Sequence, residues 1–221
     1  MGAAFAIETA PLPANGGLAD LRFRALLSAE DWAALPLAIR IRFSKRLQGG
    51  ATVAYRGEVV SVEAGVLGRV LAHAARLIGG PLPLVFAPGA SVVTVTEDAV
   101  GHGQVWSRLY VRPDGFPQVI HSAKRFTGPT GLEEHVGAGV GMALTVTVEA
   151  GALVFRSAFY FVTVLGVRVR LARWSEPGAL TIVHRDLGDG RFAFTLALDH
   201  PLFGRLLGQD AIFRDPPAEE A

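Results

Sequence analysis

Short alternating segments separated by turn residues occupy most of the chain after residue 83, and they constrain its fold more than any other feature. Nine segments rich in β-branched and aromatic residues are typical of strands: 84–87, 92–96, 105–112, 118–126, 142–149, 153–164, 167–172, 180–187 and 191–198. Turn sequences such as Pro-Asp-Gly at 113–115 and Gly-Asp-Gly at 188–190 separate them. Because the links are short, we expect antiparallel neighbours, with at least five strands from Val105 onward forming a meander.

One long amphipathic helix is predicted over about 63–78, with Ser61 placed to cap its start and Gly79 its end. Its apolar residues recur at steps of three and four. We expect the following side chains to be buried against the sheet: Leu67, Val70, Leu71, Ala74 and Ile78. A short helix is predicted from the Ser28 cap to Leu35. Residues 39–43 fit either a strand or a further helical turn after Pro36.

Nine strands and one helix make more sheet than a flat, open arrangement shields from water. The sequence therefore predicts a mainly β (α+β) fold, in which a curved antiparallel sheet closes as a barrel or half-barrel and the helix packs on it. The 221 residues, half of them apolar, fit one domain. We expect a flexible N-terminal arm over 1–20, a single β-rich domain over 21–212 and a flexible acidic tail over 213–221.

Composition excludes several classes of function. The chain has no cysteine, so it has no disulfides, thiolate catalysis or Cys-ligated metals. The 21 basic and 20 acidic residues nearly cancel, which predicts no nucleic-acid partner and no general attraction to an anionic membrane. Prolines and glycines break the uncharged stretch 77–96, so no membrane span is expected, and without a recognisable secretory signal the expected location is the cytoplasm.

Motifs for cofactors and metals are weak. Gly137, Gly139 and Gly141 precede a strand rather than a helix, which argues against a dinucleotide loop, so no cofactor is predicted. His184 and Asp186 share a strand face, but no third ligand accompanies them and no metal is predicted.

The strand at 105–112 carries the most informative candidate site. Alternation places Trp106, Arg108 and Tyr110 on one face. If that face lines a cavity, Arg108 lies between aromatic rings and can meet an anionic ligand head; if it faces solvent, the same residues form a cross-strand ladder. An Arg inside the fold needs a carboxylate partner, and Glu133 is the first candidate. The aromatic strand around Phe159 carries more apolar surface than a thin core layer requires.

At these residues the chain resembles the bacterial family catalogued as domain of unknown function 4166 (DUF4166), over roughly Leu35 to Asp210. The motifs that carry the resemblance are Arg42-Phe43, Tyr55-Arg56-Gly57, Trp106-Ser107-Arg108-Leu109-Tyr110, Gly131-Leu132-Glu133-Glu134-His135-Val136-Gly137, Gly190-Arg191-Phe192-Ala193-Phe194 and Pro201-Leu202-Phe203-Gly204. Members occur alone or behind saccharopine-dehydrogenase-like and other reductase modules. The resemblance therefore implies an accessory domain with a reductase partner, and it supplies no catalytic residues.

Three functions follow from these patterns. The leading one is non-catalytic binding of a small lipophilic, lipid-like or anionic ligand in a cavity of the curved sheet, with Trp106, Arg108, Tyr110, Glu133, Phe159 and His184 as candidate site residues. The second is an accessory enzyme using Glu133 or Glu134 with His184 as acid–base groups. The third is an interaction module that docks through the basic stretch Arg40 to Arg46 or an exposed sheet edge. The sequence leaves open whether the protein is an enzyme.

Overall fold

The computed structural model describes residues 20–45, 47, 51–112 and 115–217, and the predicted arm over 1–20 lies outside this part of the chain except for Asp20. Its strands are β1 (Thr52–Ala64), β2 (Gly89–Asp98), β3 (Gly103–Tyr110), β4 (Gln118–Arg125), β5 (Glu133–Gly137), β6 (Val140–Glu149), β7 (Ala152–Val164), β8 (Val167–Arg170), β9 (Ala179–Gly188), β10 (Arg191–His200) and β11 (Gly204–Arg214). The α-helices are α1 (Ala29–Ala34), α2 (Leu37–Arg42) and α3 (Val66–Ala74), with 3-10 turns at Arg24–Leu26, Ala75–Ile78 and Arg173–Ser175.

Ten of the strands form a closed antiparallel barrel, which confirms the predicted fold class. The order around the sheet is β6-β5-β4-β3-β2-β1-β11-β10-β9-β7-β8, and a β6–β7 ladder closes the ring. Every ladder is antiparallel, and successive strands pair from β3 through β7, as the meander prediction requires. Closure leaves no free edge along the ring except where β8 branches from it.

The short strand β8 leaves the ring between β7 and β9. It pairs with β7 over Phe161–Val164, whereas β9 pairs with β7 only over Leu153–Arg156. Beyond Arg156, side chains connect the two walls: the Leu180 amide donates to Ser157 Oγ at 2.9 Å, and the Tyr160 amide donates to Glu176 Oε1 at 3.3 Å. We call this stretch the β7–β9 seam.

The two ends of the barrel differ. At one end, here the α2 end, α1 and α2 pack against β6 and β9. At the other, the α3 end, lie the connections β1–β2, β3–β4, β5–β6, β7–β9 and β10–β11, because antiparallel strands return to the same side at every second turn. Side chains from α1, α2 and the preceding turn fill the α2 end of the core: Phe23, Trp32, Leu35, Ile39 and Phe43.

The helix predicted over 63–78 is shorter than expected, and it packs on a different face. β1 runs to Ala64, so Ser61 lies in a strand and Gly65 occupies the cap position; Gly79 does end the final 3-10 turn, with φ +105°. Its buried residues are Gly68, Ala72 and Ala75, whereas the side chains predicted as buried are exposed (Leu67, Val70, Ala74) or half-buried (Leu71, Ile78).

The physical reason is close approach to β11. A Cβ at Gly68 would lie 1.8 Å from the Leu206 carbonyl oxygen, so the helix can sit on the strand only through its smallest residues.

Some of the other local predictions are confirmed and others are wrong. The Ser28 cap is confirmed, since its side chain accepts a hydrogen bond from the Asp31 amide at 3.0 Å. Residues 39–43 belong to α2 and its end, so the helical alternative is correct. No strand covers 84–87 in the described chain, and β1, β5 and β11 were not predicted. Phe213 and Arg214, assigned by the prediction to the tail, are the last residues of β11.

Candidate ligand-binding cavity

The barrel interior contains two lobes that share the side chains of Arg108, Tyr110 and Leu196. The larger, which we call the aliphatic lobe, has a volume of about 300 Å³ and lies toward the α3 end. Its apolar wall includes Leu71, Leu82, Ile120, Val136, Met142, Ile182 and Leu198. The smaller, the aromatic lobe, has a volume of about 60 Å³ and lies toward the α2 end; its rings are Phe43, Tyr55, Trp106, Phe192, Phe194 and Phe213.

A charged cluster lies on the wall formed by three neighbouring strands, β3, β4 and β5. Lys124 Nζ donates to Glu134 Oε2 at 2.9 Å, and Arg108 Nη2 donates to Glu134 Oε1 at 3.3 Å. Arg108 also reaches Ser122 Oγ at 3.2 Å. The side chains of Lys124 and Glu134 are 1% and 4% exposed, so one carboxylate serves two cations inside the barrel. With all three groups ionised, the cluster carries one positive charge in excess of its single carboxylate.

The protonation of this cluster follows from the geometry. Burial alone would raise the pKa of Glu134, but the charges of Lys124 and Arg108 outweigh it and lower the pKa to about 2. Burial lowers the pKa of Lys124, with Arg108 acting in the same direction and Glu134 opposing them. The Lys124 ammonium also lies 5.0 Å from the centre of the Trp106 ring, where the ring face attracts a cation.

His184 lies in the aromatic lobe surrounded by rings. Its imidazole centre is 4.7 Å from that of Phe192 and 5.1 Å from that of Phe43. Neither ring nitrogen has a hydrogen-bond partner among the described residues. Burial together with the Arg42 charge lowers the pKa of His184 to about 3, so the ring is neutral at pH 7.

Gln209 is the second polar group of this lobe. Its Oε1 accepts from the Tyr110 hydroxyl at 3.2 Å, while its Nε2 has no partner. The aromatic lobe is thus lined by polar atoms whose hydrogen-bonding capacity no protein group uses.

Arg42 closes the lobe at the α2 end. Its guanidinium forms ion pairs with Asp215 at 2.7 Å and Asp186 at 3.0 Å, and it lies 4.5 Å from the centre of the Phe192 ring. These bonds join α2 to β9 and to the residue after β11. Arg42 and its ion pairs therefore border the interior at this end, and apolar loop residues such as Pro81 and Leu82 border it at the other.

Four of the six predicted site residues line the cavity: Trp106, Arg108, Tyr110 and His184. Glu133 and Phe159 do not. Glu133 faces the outside of β5, where it forms a two-point ion pair with Arg168 and lies 3.3 Å from His135 Nε2. Phe159 faces the outside of β7, beneath the guanidinium of Arg170 at 4.3 Å. Arg108 therefore has a buried acidic partner as predicted, but that partner is Glu134 rather than Glu133.

Sequence reasoning missed Lys124 and Gln209 and assigned Glu134 only as an alternative acid. Alternation gives a signal for Lys124, since it shares a face of β4 with Ser122 and Ile120. A lysine on that apolar face could have been noticed. Gln209 gave no signal, because it lies in a strand that was not predicted.

The acid–base hypothesis lacks its central contact. Neither Glu133 nor Glu134 hydrogen-bonds His184: Glu133 lies outside the barrel, Glu134 lines the aliphatic lobe and His184 lines the aromatic one. Within the described residues no group of three or more potential ligands could hold a metal ion. Among the same residues, no helix is both long enough and apolar enough to traverse a lipid bilayer.

A comparison with protein-family models matches residues 35–213 to a domain of unknown function, DUF4166. This match covers most of the chain. The chain belongs to this family. A search of curated proteins found no significant match. The DUF4166 region starts at the end of α1 and finishes one residue before the end of β11, so it contains the whole barrel and both lobes of the cavity.

Proposed function

We propose that this DUF4166 domain binds a small lipophilic molecule with an anionic head inside its barrel. The observation that carries the proposal is the pairing of an apolar cavity with a buried cluster that has one positive charge in excess. The non-catalytic reading is favoured because the acid and base candidates do not contact each other.

The aliphatic lobe supports the lipophilic part of the proposal. Protein interiors are close-packed. A cavity of about 300 Å³ leaves its lining side chains without the van der Waals contacts that close packing would give them. The cavity is lined almost entirely by apolar groups, so an apolar ligand would supply the missing contacts.

The charged cluster supports the anionic head. A buried cation is costly unless it is paired, and here Glu134 is shared between Lys124 and Arg108. Arg108 lines both lobes, and its Nε donates no hydrogen bond to any described residue. A carboxylate or similar anion next to this guanidinium would bring the cluster to neutrality and accept the free N–H.

The experiment uses two probes that differ only in the head group. The displacement of the fluorophore 1-anilinonaphthalene-8-sulfonate from the purified protein is to be measured with dodecanoate and with 1-dodecanol. We expect dodecanoate to bind about tenfold more tightly or better, as one charge-assisted hydrogen bond provides. The variant R108M should lose this preference, since methionine keeps the volume without the charge.

R112M is the matched control, because Arg112 is exposed and lies only four residues further along the chain, just beyond the end of β3. It should behave like the unmodified protein. The proposal fails if neither probe displaces the fluorophore, or if R108M and R112M discriminate between the probes equally. Native mass spectrometry and solvent extraction of the freshly purified protein would identify a ligand carried from the cell.

A further inference from the structure

Large apolar side chains are exposed in four of the five connections at the α3 end of the barrel. They are Val66, Val70 and Leu77 in the α3 segment, Phe116 in the β3–β4 connection, Leu165 and Trp174 in the β7–β9 connection, and Leu202 and Phe203 in the β10–β11 turn. Leu165 is fully exposed and Leu77 is 89% exposed. At the α2 end the exposed large apolar side chains are fewer: Val100 in the β2–β3 turn, and Leu21, Leu37 and Ile41 in the segment that contains α1 and α2. Apolar groups concentrated at one end indicate a contact surface.

Local contacts bring these connections together around the mouth of the aliphatic lobe. The Ile78–Gly79 backbone meets the β5–β6 turn at Gly137, and the β7–β9 connection meets the end of β10 at Gly178. The side chain of Gln118 ties the β3–β4 connection to the loop at 82–84 through hydrogen bonds to Leu82 and Leu84. The α3 segment and the loop at 81–83 also line the aliphatic lobe, so these connections lie next to the cavity.

The residue at the tip of the β7–β8 hairpin, Leu165, is fully exposed and has a positive φ, as Ala138 and Ala150 also have before Gly139 and Gly151. Leu165 and Gly166 have φ values of +50° and +81°, a pair of positive values for which turns favour Asn, Asp or Gly at the first position. Asp189 occupies the equivalent position before Gly190 in the β9–β10 turn, with φ +52°. A fully exposed leucine in this conformation costs backbone strain and contributes nothing to the core, which points to a role at the surface.

The connections of the α3 end are also rich in basic residues. By sequence, the five connections of the α3 end contain six arginines against two acidic residues, Asp114 and Glu176. No hydrogen bond or ion pair holds the guanidinium of Arg76, Arg112 or Arg173 among the described residues. The near-zero net charge of the whole chain thus conceals a basic end.

We infer that the α3 end docks onto the surface of an anionic phospholipid bilayer. Apolar side chains on separate turns can each insert independently into the fluid interface of a bilayer. A folded protein partner would instead require one continuous complementary face. The interspersed arginines match anionic head groups, which attract basic side chains near the bilayer surface. This inference goes beyond the proposed function, because it concerns the outside of the barrel.

The test is sedimentation of the full chain with vesicles of phosphatidylcholine containing 30% phosphatidylglycerol. We expect binding to these vesicles, at least fivefold weaker binding to pure phosphatidylcholine, and further loss at high salt. The variant L165D should reduce binding at least fivefold while keeping the fold, since Asp tolerates positive φ better than Leu.

V100D is the matched control, because Val100 is likewise an exposed apolar turn residue but lies at the α2 end. It should bind vesicles like the unmodified chain, as should R108M, whose change lies inside the barrel. The inference is overturned if the chain fails to bind either vesicle, or if L165D and V100D bind equally well. Self-association through the same end without vesicle binding, measured by light scattering, would also overturn it.

Discussion

Inside the aromatic lobe, burial and neighbouring charge determine the protonation and the hydrogen bonding of single residues. His184 has no hydrogen-bond partner and sits between phenylalanine rings, so it acts as an aromatic packing group with two unsatisfied nitrogens. A buried polar atom without a partner costs stability. The lobe has room for a few water molecules or one small ligand group, either of which could meet these nitrogens and Gln209 Nε2.

We predict that H184F changes how stability depends on pH. The unfolded chain takes up a proton on this ring below about pH 6.5, whereas in the folded state the pKa is about 3. The unmodified protein therefore loses roughly 1.4 kcal/mol per pH unit from this group as pH falls below 6.5, and H184F does not. Urea unfolding between pH 7.5 and 4.5 measures the difference. Parallel stability profiles for the two proteins would contradict the buried, neutral assignment.

We also predict that E134Q destabilises the fold by about 3 to 5 kcal/mol, because it leaves the Lys124 ammonium buried without its counter-charge. Adding K124M to E134Q should recover most of the loss, which guanidinium chloride unfolding would show. The carboxylate's stabilising contribution is present above about pH 4.5 and is lost as pH falls toward 2. Equal stability of the single and double variants would contradict this assignment.

At the scale of elements, α3 illustrates what a helical pattern alone does not reveal. The period of its apolar residues correctly indicated a helix, but the stripe of larger side chains is not the face that packs. Gly68 and Ala72 face β11 instead, since only small residues permit the backbones to approach this closely. The periodicity of apolar residues reports where large side chains lie, so it does not identify a packing surface that is formed by glycine and alanine.

This geometry makes G68A destabilising by about 1 to 3 kcal/mol, although alanine favours an isolated helix by about 1 kcal/mol relative to glycine. The added Cβ would collide with the Leu206 carbonyl and push the helix off the strand. G65A is the matched control, since its nearest neighbour would be 3.8 Å away and its stability should change by less than about 1 kcal/mol. Thermal unfolding of both variants decides the matter, and a stabilised G68A would refute the close packing.

The strands that could be predicted are those with clean alternation and flanking turn residues. β1 was not predicted because Arg56, Gly57 and Glu58 interrupt its alternating pattern. In β11, Gly208, Gln209 and Asp210 interrupt the pattern in the same way. Both carry these polar and glycine residues within ladders whose partners are far apart in sequence. The cavity wall could be predicted from β3, but the choice between Glu133 and Glu134 depended on the register of a five-residue strand.

For the whole molecule, ring closure predicts an uneven pattern of amide protection. The β6–β7 ladder that closes the barrel should exchange hydrogen as slowly as β2–β3, since both are flanked by further strands. β8 pairs on one side only and its four residues are exposed, so its amides should exchange at least tenfold faster. Hydrogen–deuterium exchange with mass spectrometry resolves these segments. Fast exchange across β6–β7 would show that the ring opens there.

The β7–β9 seam makes one part of the barrel wall different from the rest. There, two side-chain contacts made by Ser157 and Glu176 take the place of the backbone ladder between neighbouring strands. The wall next to Tyr160 and Leu180 of the aliphatic lobe therefore depends on the identity of two side chains, whereas a ladder depends on backbone groups that every residue supplies. Substitutions at these two positions can alter this wall without removing any β7–β9 backbone hydrogen bond.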